Sequence, residues 1–305
     1  MNTTANRISR QIMASCIMKP VAGKKKSLLS GVTGGGVQQS LSNMRTLSVW
    51  LVAAICATAS ALASEPAPTK WTVDGVEREA LVYLPSTSSK AKAPVILAFH
   101  GHGGNMHFAD RGMAFQNSWP EAIVVYPQGL PTPGIIMDFE GKKPGWQREP
   151  GQEQDRDLKF VDAILKTLRE RYSVDENRIY ATGFSNGGLF SYLLLSQRSN
   201  VFAAFAPGGA VLLPQVALTQ PRPVFHYGGK SDRLARFEKQ QATIDQIRKF
   251  NGCSEQGDSC GTNCTVYRSA KGAAVATFIH SDGHIYPPAV TPLIVKFFQD
   301  HPRGA

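Results

Sequence analysis

Short apolar segments alternate with longer amphipathic segments from about residue 80 onward. Continuous apolar runs of four to eight residues are typical of strands that are buried on both faces of a parallel sheet. The pattern predicts an outer strand at Ala80–Leu84 and further strands at Pro94–Phe99, Ala122–Tyr126, Arg178–Thr182, Ala203–Ala206, Pro223–Tyr227 and Ala274–Ile279.

Helical periodicity occurs between these strands. Leu158, Val161 and Ile164 recur at the spacing of one helix face, and Asp155 or Asp157 can cap the start of that helix. Strands that alternate with helices indicate an α/β fold, with a mostly parallel central sheet and helices on both faces. Ligands bind such sheets at the carboxyl ends of strands, so functional residues should directly follow strands. The pattern predicts helices at Asp157–Tyr172, Asn186–Gln197, Arg236–Phe250 and Pro288–Gln299.

The first 63 residues carry a charge unlike that of the rest of the chain. They contain seven basic residues and no acidic ones, and without them the formal net charge falls from +10 to +3. The remaining chain is therefore too nearly balanced for a protein that binds nucleic acid or a membrane surface through its charge. We expect neither kind of partner.

Residues 44–63 have the pattern of a secretory signal peptide. Arg45 gives a short positive start, an apolar run follows, and Ala61-Leu62-Ala63 predicts cleavage before Ser64. A membrane anchor is the alternative, but the run is short for a span. We interpret residues 1–43 as an over-long start or a disordered, basic targeting extension, and residues 64–305 as one folded domain. The signal predicts a periplasmic or extracellular protein with no stable membrane insertion after cleavage.

Three cysteines of this domain, Cys253, Cys260 and Cys264, lie within twelve residues. Export permits a disulfide, and three cysteines allow one bridge with one thiol left over. The spacing does not indicate which pair forms. A zinc site would need four ligands, and no second cluster of Cys or His supplies the rest, so we expect no metal.

A glycine-rich turn connects the predicted strand at Arg178–Thr182 to the helix after it. The turn reads GFSNG at 183–187, which matches G-x-S-x-G. A nucleophilic serine of this kind sits on a strained strand-to-helix turn that needs small residues on both sides, and the following helix N-terminus favours negative charge. The motif predicts Ser185 as a nucleophile. An inert serine in a glycine-rich turn is the alternative interpretation.

A serine nucleophile needs a base, which should follow it in the chain. His284 lies in a turn-rich loop between the last predicted strand and the last predicted helix, where such a base belongs. His226 lies within an apolar strand, His280 ends a strand and points into it, and His301 is close to the last residue. We therefore predict His284 as the base, with a surface loop histidine as the alternative.

The orienting acid should lie between the serine and the histidine, just after a strand. Asp232 follows the strand Pro223–Tyr227 through a glycine-containing turn. From such a turn a carboxylate can reach the imidazole, fix its tautomer and stabilise the imidazolium. Asp245 falls in mid-helix, and Asp282 is only two residues from His284, where it is expected to shape the turn. Asp232 is therefore the predicted acid.

The loop HGHGGN at 100–105 follows the second predicted strand. Its glycines let the backbone approach a substrate closely. An oxyanion needs two N–H donors, and we predict the backbone of Asn186 and of His102, with Gly103 as second choice. Metal binding by His100 and His102 is the alternative, which is disfavoured because alternate residues of an extended chain point in opposite directions.

Together these motifs resemble the secreted α/β-hydrolase esterases of the polyhydroxybutyrate depolymerase-like and feruloyl esterase-like family. The resemblance implies an α/β-hydrolase fold, no metal or cofactor, and hydrolysis of carboxylic esters through an acyl-enzyme. The family's catalytic triad falls on Ser185, Asp232 and His284. The matching segments, in chain order, are LAFHGHGGN at 97–105, VVYPQG at 124–129, PGW at 144–146, YSVDENRIYATGFSNGG at 172–188, HYGGKSD at 226–232 and DGHIYP at 282–287.

Two loops depart from the family pattern. The acid loop commonly reads HGxxD where this chain has YGGKSD, and the base loop commonly reads GGHxWP where this chain has DGHIYP. Both changes border the substrate pockets, so they bear on the substrate, which we expect to be a feruloyl, acetyl or short polyhydroxybutyrate-type ester. Trp146 can stack an aromatic acyl group, with a packed core aromatic as the alternative. A serine peptidase on the same fold and an inactive binding protein are the alternative functions.

Overall fold

One ten-stranded sheet organises the computed structural model, which describes residues 66–85 and 91–304. The strand order is β1-β2-β4-β3-β7-β8-β9-β12-β11-β10, and the strands from β4 to β12 in that order are parallel. Strands β5 and β6 form a separate two-stranded sheet. The strands are β1 (Ala67–Val73), β2 (Val76–Tyr83), β3 (Ala93–Phe99), β4 (Ile123–Pro127), β5 (Leu130–Pro131), β6 (Pro144–Gly145), β7 (Val174–Phe184), β8 (Ala204–Gly208), β9 (Val224–Gly229), β10 (Asp258–Gly261), β11 (Cys264–Tyr267) and β12 (Val275–His280).

Helices cover both faces of the sheet. Val95, Leu97 and Phe99 of β3 join one hydrophobic core, whereas Ile96 and Ala98 join the other, as the two-residue period of a strand requires. The first core includes side chains of α3, α4 and α5, and the second includes side chains of α1, α2 and α6. The predicted α/β fold is confirmed. The helices are α1 (Met106–Met113), α2 (Phe115–Ser118), α3 (Arg156–Arg171), α4 (Asn186–Gln197), α5 (Phe237–Asn251) and α6 (Val290–Asp300).

The start of α3 differs from the prediction. Asp155 is the N-cap residue, but its φ is 57° and its side chain makes no capping hydrogen bond. Capping needs an extended backbone at that position. The carboxylate of Asp155 instead accepts hydrogen bonds from Gln147 and Gly151, and Asp157 is buried in an ion pair with Arg78 at 2.8 Å. Neither aspartate therefore caps the helix.

The hairpin of β10 and β11 was not predicted, because its strands are only four residues long and every residue of β10 is exposed. A disulfide joins Cys260 to Cys264 across this hairpin, and Cys253 is the free thiol of the described region. Within residues 66–85 and 91–304, no helix is both long and apolar enough to cross a membrane. The predicted extension at 1–43 and signal peptide at 44–63 lie outside the described residues.

Candidate active site

Ser185 lies on the turn between β7 and α4, at the carboxyl edge of the sheet. Its backbone has φ 58° and ψ −119°, a strained conformation for a residue with a side chain. Close backbone packing explains the two flanking glycines. A Cβ on Gly183 would collide with the carbonyl of Gly187, and a Cβ on Gly187 would collide with the carbonyl of Phe99. The local sequence therefore builds the strained serine turn that the motif predicted.

His284 connects Ser185 to Asp232. Its Nε2 lies 2.8 Å from Ser185 Oγ, and its Nδ1 lies 2.7 Å from Asp232 Oδ2. Because a carboxylate only accepts hydrogen bonds, Nδ1 carries the proton and Nε2 is free to accept the Ser185 hydroxyl proton. The serine, histidine and aspartate come from three separate loops, and the fold brings them to one edge of the sheet.

Asp232 is held rigidly. Its side chain is 1% exposed, and its Oδ1 accepts the backbone N–H groups of Leu234 and Ala235, both at 2.9 Å. Its Oδ2 accepts from His284 and, at 3.2 Å, from Gln240 Nε2. These four hydrogen bonds match the acceptor capacity of a carboxylate. The carboxylate is thereby aimed at the imidazole before any substrate binds.

The remaining histidines of the described strands have structural partners. His226 is completely buried, with Nδ1 at 2.7 Å from the Tyr192 hydroxyl and Nε2 at 3.0 Å from Gln240 Oε1. His280 is also buried, and its Nδ1 accepts the backbone N–H of Asp282 at 3.2 Å. Neither ring contacts Ser185, in agreement with the sequence interpretation of His226 as a core residue.

The predicted oxyanion donors lie beside the serine. Asn186 is the first residue of α4, so its backbone N–H has no acceptor within the helix. The N–H of Gly103 donates to Pro144 O at 2.7 Å, so this N–H is not free to bind an oxyanion. In the described part of the chain no acceptor takes the N–H of His102, and His102 lines the cleft together with Ser185. The geometry thus favours His102 over Gly103.

His100 anchors the loop that carries His102. Its Nδ1 donates to Gly101 O at 2.8 Å, and its Nε2 accepts the N–H of Gly129 at 3.0 Å. Burial lowers the pKa of His100 to about 4, so the ring is neutral near pH 7. Both ring nitrogens are engaged in hydrogen bonds. Across residues 66–85 and 91–304 no three His, Cys, Asp or Glu side chains cluster as metal ligands would.

Trp146 does not contact the cleft. Its ring is fully buried, stacks on Phe190 with centroids 5.4 Å apart, and donates its indole N–H to His100 O at 2.9 Å. The predicted stacking of Trp146 on a substrate is therefore wrong, and the packed-aromatic alternative is correct. Its backbone N–H and C=O pair with the Asn186 side-chain amide at 2.7 and 3.0 Å, which fixes the residue after the nucleophile.

An apolar cleft of about 360 Å³ opens over Ser185 and His284. One wall is a loop at 134–138, which we call the flap, and its Ile135, Ile136 and Met137 face the cleft. The Asp138 carboxylate holds the flap, because it accepts the backbone N–H groups of Lys142 and Lys143 and lies 3.0 Å from His102 Nε2. The rest of the lining is mainly apolar and includes Leu189, Val211, Leu213 and Leu234.

Sequence reasoning missed the flap, Asp138 and Gln240. The signal for Gln240 was present, since it is a polar residue on the buried face of α5, one turn before Ile244 and two turns before Ile247. No comparable signal marks Asp138, because its role depends on a loop conformation with φ 56° that periodicity does not predict.

The sheet and its covering helices form an α/β-hydrolase fold, and its carboxyl edge holds a serine, a histidine and an aspartate joined by hydrogen bonds. Residues 145–232 match the model of the prolyl oligopeptidase family. A bifunctional acetylxylan esterase/xylanase of Neocallimastix patriciarum is 28% identical over 61% of this chain, and the match covers 26% of that protein. A probable feruloyl esterase C of Aspergillus flavus is 26% identical over 68% of this chain and 76% of its own length.

Solved structures agree on the fold. The feruloyl esterase module from Clostridium thermocellum superposes with a TM-score of 0.56 at 14% identity, over 78% of this chain and 88% of that module. The fold and the relatives support a feruloyl esterase-like α/β hydrolase and a serine carboxylic ester hydrolase. They bear out the feruloyl esterase side of the resemblance. The polyhydroxybutyrate depolymerase side stays a prediction.

Proposed function

We propose that this protein hydrolyses small carboxylic esters through an acyl-enzyme on Ser185. The observation that supports the proposal most directly is the position of His284, within 2.8 Å of both the Ser185 hydroxyl and the Asp232 carboxylate. A serine with an imidazole acceptor, an orienting carboxylate and two nearby N–H donors has every group that acyl transfer requires.

The reaction proceeds in two halves. Ser185 Oγ attacks the ester carbonyl while His284 Nε2 takes the hydroxyl proton, and the backbone N–H groups of Asn186 and His102 stabilise the oxyanion. The imidazolium gives its proton to the departing alcohol oxygen, which leaves an acyl group on Ser185. Water then attacks the acyl-enzyme with His284 again as base, and the carboxylic acid is released.

The cleft favours an apolar acyl or alcohol group. Leu189, Val211 and Leu213 line it together with the flap, and no carboxylate is among its lining residues in the described chain. The activities named for the relatives, on feruloyl and acetylxylan esters, are consistent with this apolar lining of the cleft. We therefore propose feruloyl, acetyl or short hydroxybutyrate esters as substrates, to be ranked by kcat/KM on a panel of the three.

The first test is the nucleophile. Ser185→Ala should abolish hydrolysis of p-nitrophenyl acetate and labelling by a fluorophosphonate probe, while Ser259→Ala on the exposed strand β10 should retain both. Circular dichroism checks that both variants fold. Full activity of Ser185→Ala would overturn the assignment, and an unlabelled, inactive wild type would favour a binding protein.

A serine peptidase is the second candidate, because the match to the prolyl oligopeptidase family covers Ser185 and Asp232. A butyryl p-nitrophenyl ester and the corresponding p-nitroanilide separate the two activities, since they share one acyl group. We expect hydrolysis of the ester alone. Comparable kcat/KM values on the anilide would favour the peptidase.

We also propose export of the protein, with cleavage before Ser64. The support is the sequence pattern of residues 44–63 together with the Cys260–Cys264 disulfide, because disulfides persist in oxidising compartments. N-terminal sequencing of the protein from the culture medium or periplasm tests this. A mature N-terminus well before Ser64 would contradict it.

A further inference from the structure

A chain of buried hydrogen bonds leads from Asp232 away from the cleft into the core. Asp232 Oδ2 accepts from Gln240 Nε2 at 3.2 Å, Gln240 Oε1 lies 3.0 Å from His226 Nε2, and His226 Nδ1 lies 2.7 Å from the Tyr192 hydroxyl. None of these four residues is more than 5% exposed. Because buried polar groups must be paired, the four side chains constrain one another.

The direction of every hydrogen bond in this chain follows from the carboxylate. Asp232 can only accept, so Gln240 must turn its NH₂ group toward it, where the same group also donates to Ala235 O. Gln240 Oε1 then faces His226, so His226 Nε2 carries the ring proton. His226 Nδ1 is left as the acceptor of the Tyr192 hydroxyl proton.

The burial of His226 keeps this arrangement in place. Burial lowers the pKa of His226 to about 4, although the hydrogen bond to Gln240 partly opposes the shift. The ring is therefore neutral near pH 7. Gln240 has little room to rotate, because a Cβ on Gly228 would collide with its Oε1, so the two groups are already in close contact.

We propose that Gln240 and His226 are positioning residues, which hold the Asp232 carboxylate in the orientation that His284 needs. The inference rests on the proposed esterase function. Without Gln240, one of the four hydrogen bonds on Asp232 is lost and the carboxylate gains freedom to turn from the imidazole. Because hydrogen bonds in a chain polarise one another, His226 and Tyr192 strengthen the Gln240 donor.

The test uses two substitutions of Gln240 and one control. Gln240→Met keeps the volume but removes the donor, and kcat should fall about tenfold with KM unchanged, as the loss of one buried hydrogen bond implies. Gln240→Glu sets a second carboxyl beside Asp232, where burial and the neighbouring carboxylate keep it protonated, so it can still donate to Asp232 and kcat should stay near the wild-type value. Tyr192→Phe removes only the far hydroxyl and should cause a smaller loss of kcat.

The control is Thr243→Val, on the same buried face of α5 but outside the chain of hydrogen bonds. It should lower the melting temperature and leave kcat and the pH profile unchanged. Rates are normalised to the active sites titrated by a fluorophosphonate, so misfolded protein does not lower the measured kcat. If wild type hydrolyses esters and Gln240→Met keeps its kcat, the positioning role is wrong. If wild type hydrolyses no ester, the proposed function itself fails.

If Gln240→Met does not fold, Tyr192→Phe still decides the question through the kcat of the titrated sites. A merely structural network would change only the melting temperature in this variant. A lower kcat in Tyr192→Phe, with the kcat of Thr243→Val unchanged, supports the positioning role.

Discussion

The two sides of Ser185 are built on different principles. On the acid side, Asp232, Gln240 and His226 are all nearly or completely buried. Their hydrogen bonds allow only one arrangement of the three side chains. On the substrate side, Ile135 and Ile136 of the flap are about half exposed, at 49% and 51%. The acid side lies within packed elements, whereas the flap is held mainly by polar contacts of one loop.

The two sides therefore act on different steps of catalysis. A buried, fully hydrogen-bonded network is preorganised and therefore acts on the chemical step. An open, apolar wall adapts to the substrate and therefore acts on binding and specificity. We expect changes on the acid side to lower kcat, and changes on the flap to raise KM.

The largest effect should come from the acid itself. Asp232→Asn keeps the shape of the side chain but presents an amide to His284, which favours the wrong imidazole tautomer, and kcat should fall by about 10⁴-fold. Steady-state kinetics on p-nitrophenyl acetate measure the loss. Asp245→Asn, an exposed carboxylate on α5, is the matched control and should keep full activity. A loss below tenfold in Asp232→Asn would remove Asp232 from the mechanism.

Much of this acid side was predictable from sequence. The strands predicted at Pro223–Tyr227 and Ala274–Ile279 lie within two residues of β9 and β12, and parallel strands present their following loops at one edge. Strand order and loop position alone therefore pair Asp232 with His284. They do not reveal the contact between Gln240 and Asp232. Helical periodicity marks Gln240 as a buried polar residue of α5, but its partner depends on how α5 packs against β9.

The flap side was not predictable for a physical reason. Its position depends on turns at Gly134 and Gly141 and on the Asp138 carboxylate, and each of these is a local contact without a repeating signature. Trp146 shows the same limit. An aromatic residue beside a loop fits both a core and a binding wall, and only packing against Phe190 decides between them.

The second prediction concerns pH and stability. Burial lowers the pKa of His100 and of His226 to about 4, from an ordinary value near 6.5. Between these values the unfolded chain binds more protons than the folded one, so the free energy of unfolding falls as pH drops from 6.5 to 4. Each histidine accounts for up to about 3 kcal/mol of that loss.

Urea unfolding at several pH values between 7 and 4 measures this slope. His226→Gln should flatten it, because the titrating group is gone, whereas His107→Gln at an exposed position of α1 should leave it unchanged. An unaltered slope in His226→Gln would mean that His226 is not held neutral in the folded protein.

The third prediction tests the flap. Asp138→Asn tolerates the positive φ of 56° but keeps only one acceptor for the N–H groups of Lys142 and Lys143. The flap should loosen, and KM for a feruloyl ester should rise about fivefold, in line with one weakened hydrogen bond, while kcat stays near the wild-type value. Asp175→Asn, another surface carboxylate that accepts a backbone N–H, is the control. A fall in kcat with constant KM would show that the flap acts on chemistry instead.

The smallest effect should come from charge at the rim of the cleft. Arg148, Arg236 and Lys239 line it, and no Asp or Glu of the described residues does. An ester with a free carboxylate should therefore be hydrolysed with a higher kcat/KM than its neutral methyl-capped analogue. Lys239→Gln should reduce that ratio only about twofold, because exposed charges are well screened by water.

Salt and a distant control separate this charge effect from a change of shape. The ratio of the charged to the neutral ester should fall as ionic strength rises, since screening weakens the attraction. Lys166→Gln, on the exposed face of α3, removes the same charge far from the cleft lining and should leave the ratio unchanged. If Lys239→Gln lowers kcat/KM equally for both esters, the lysine acts by contact. The substrate side would then act through fixed contacts, as the acid side does, although its side chains are exposed.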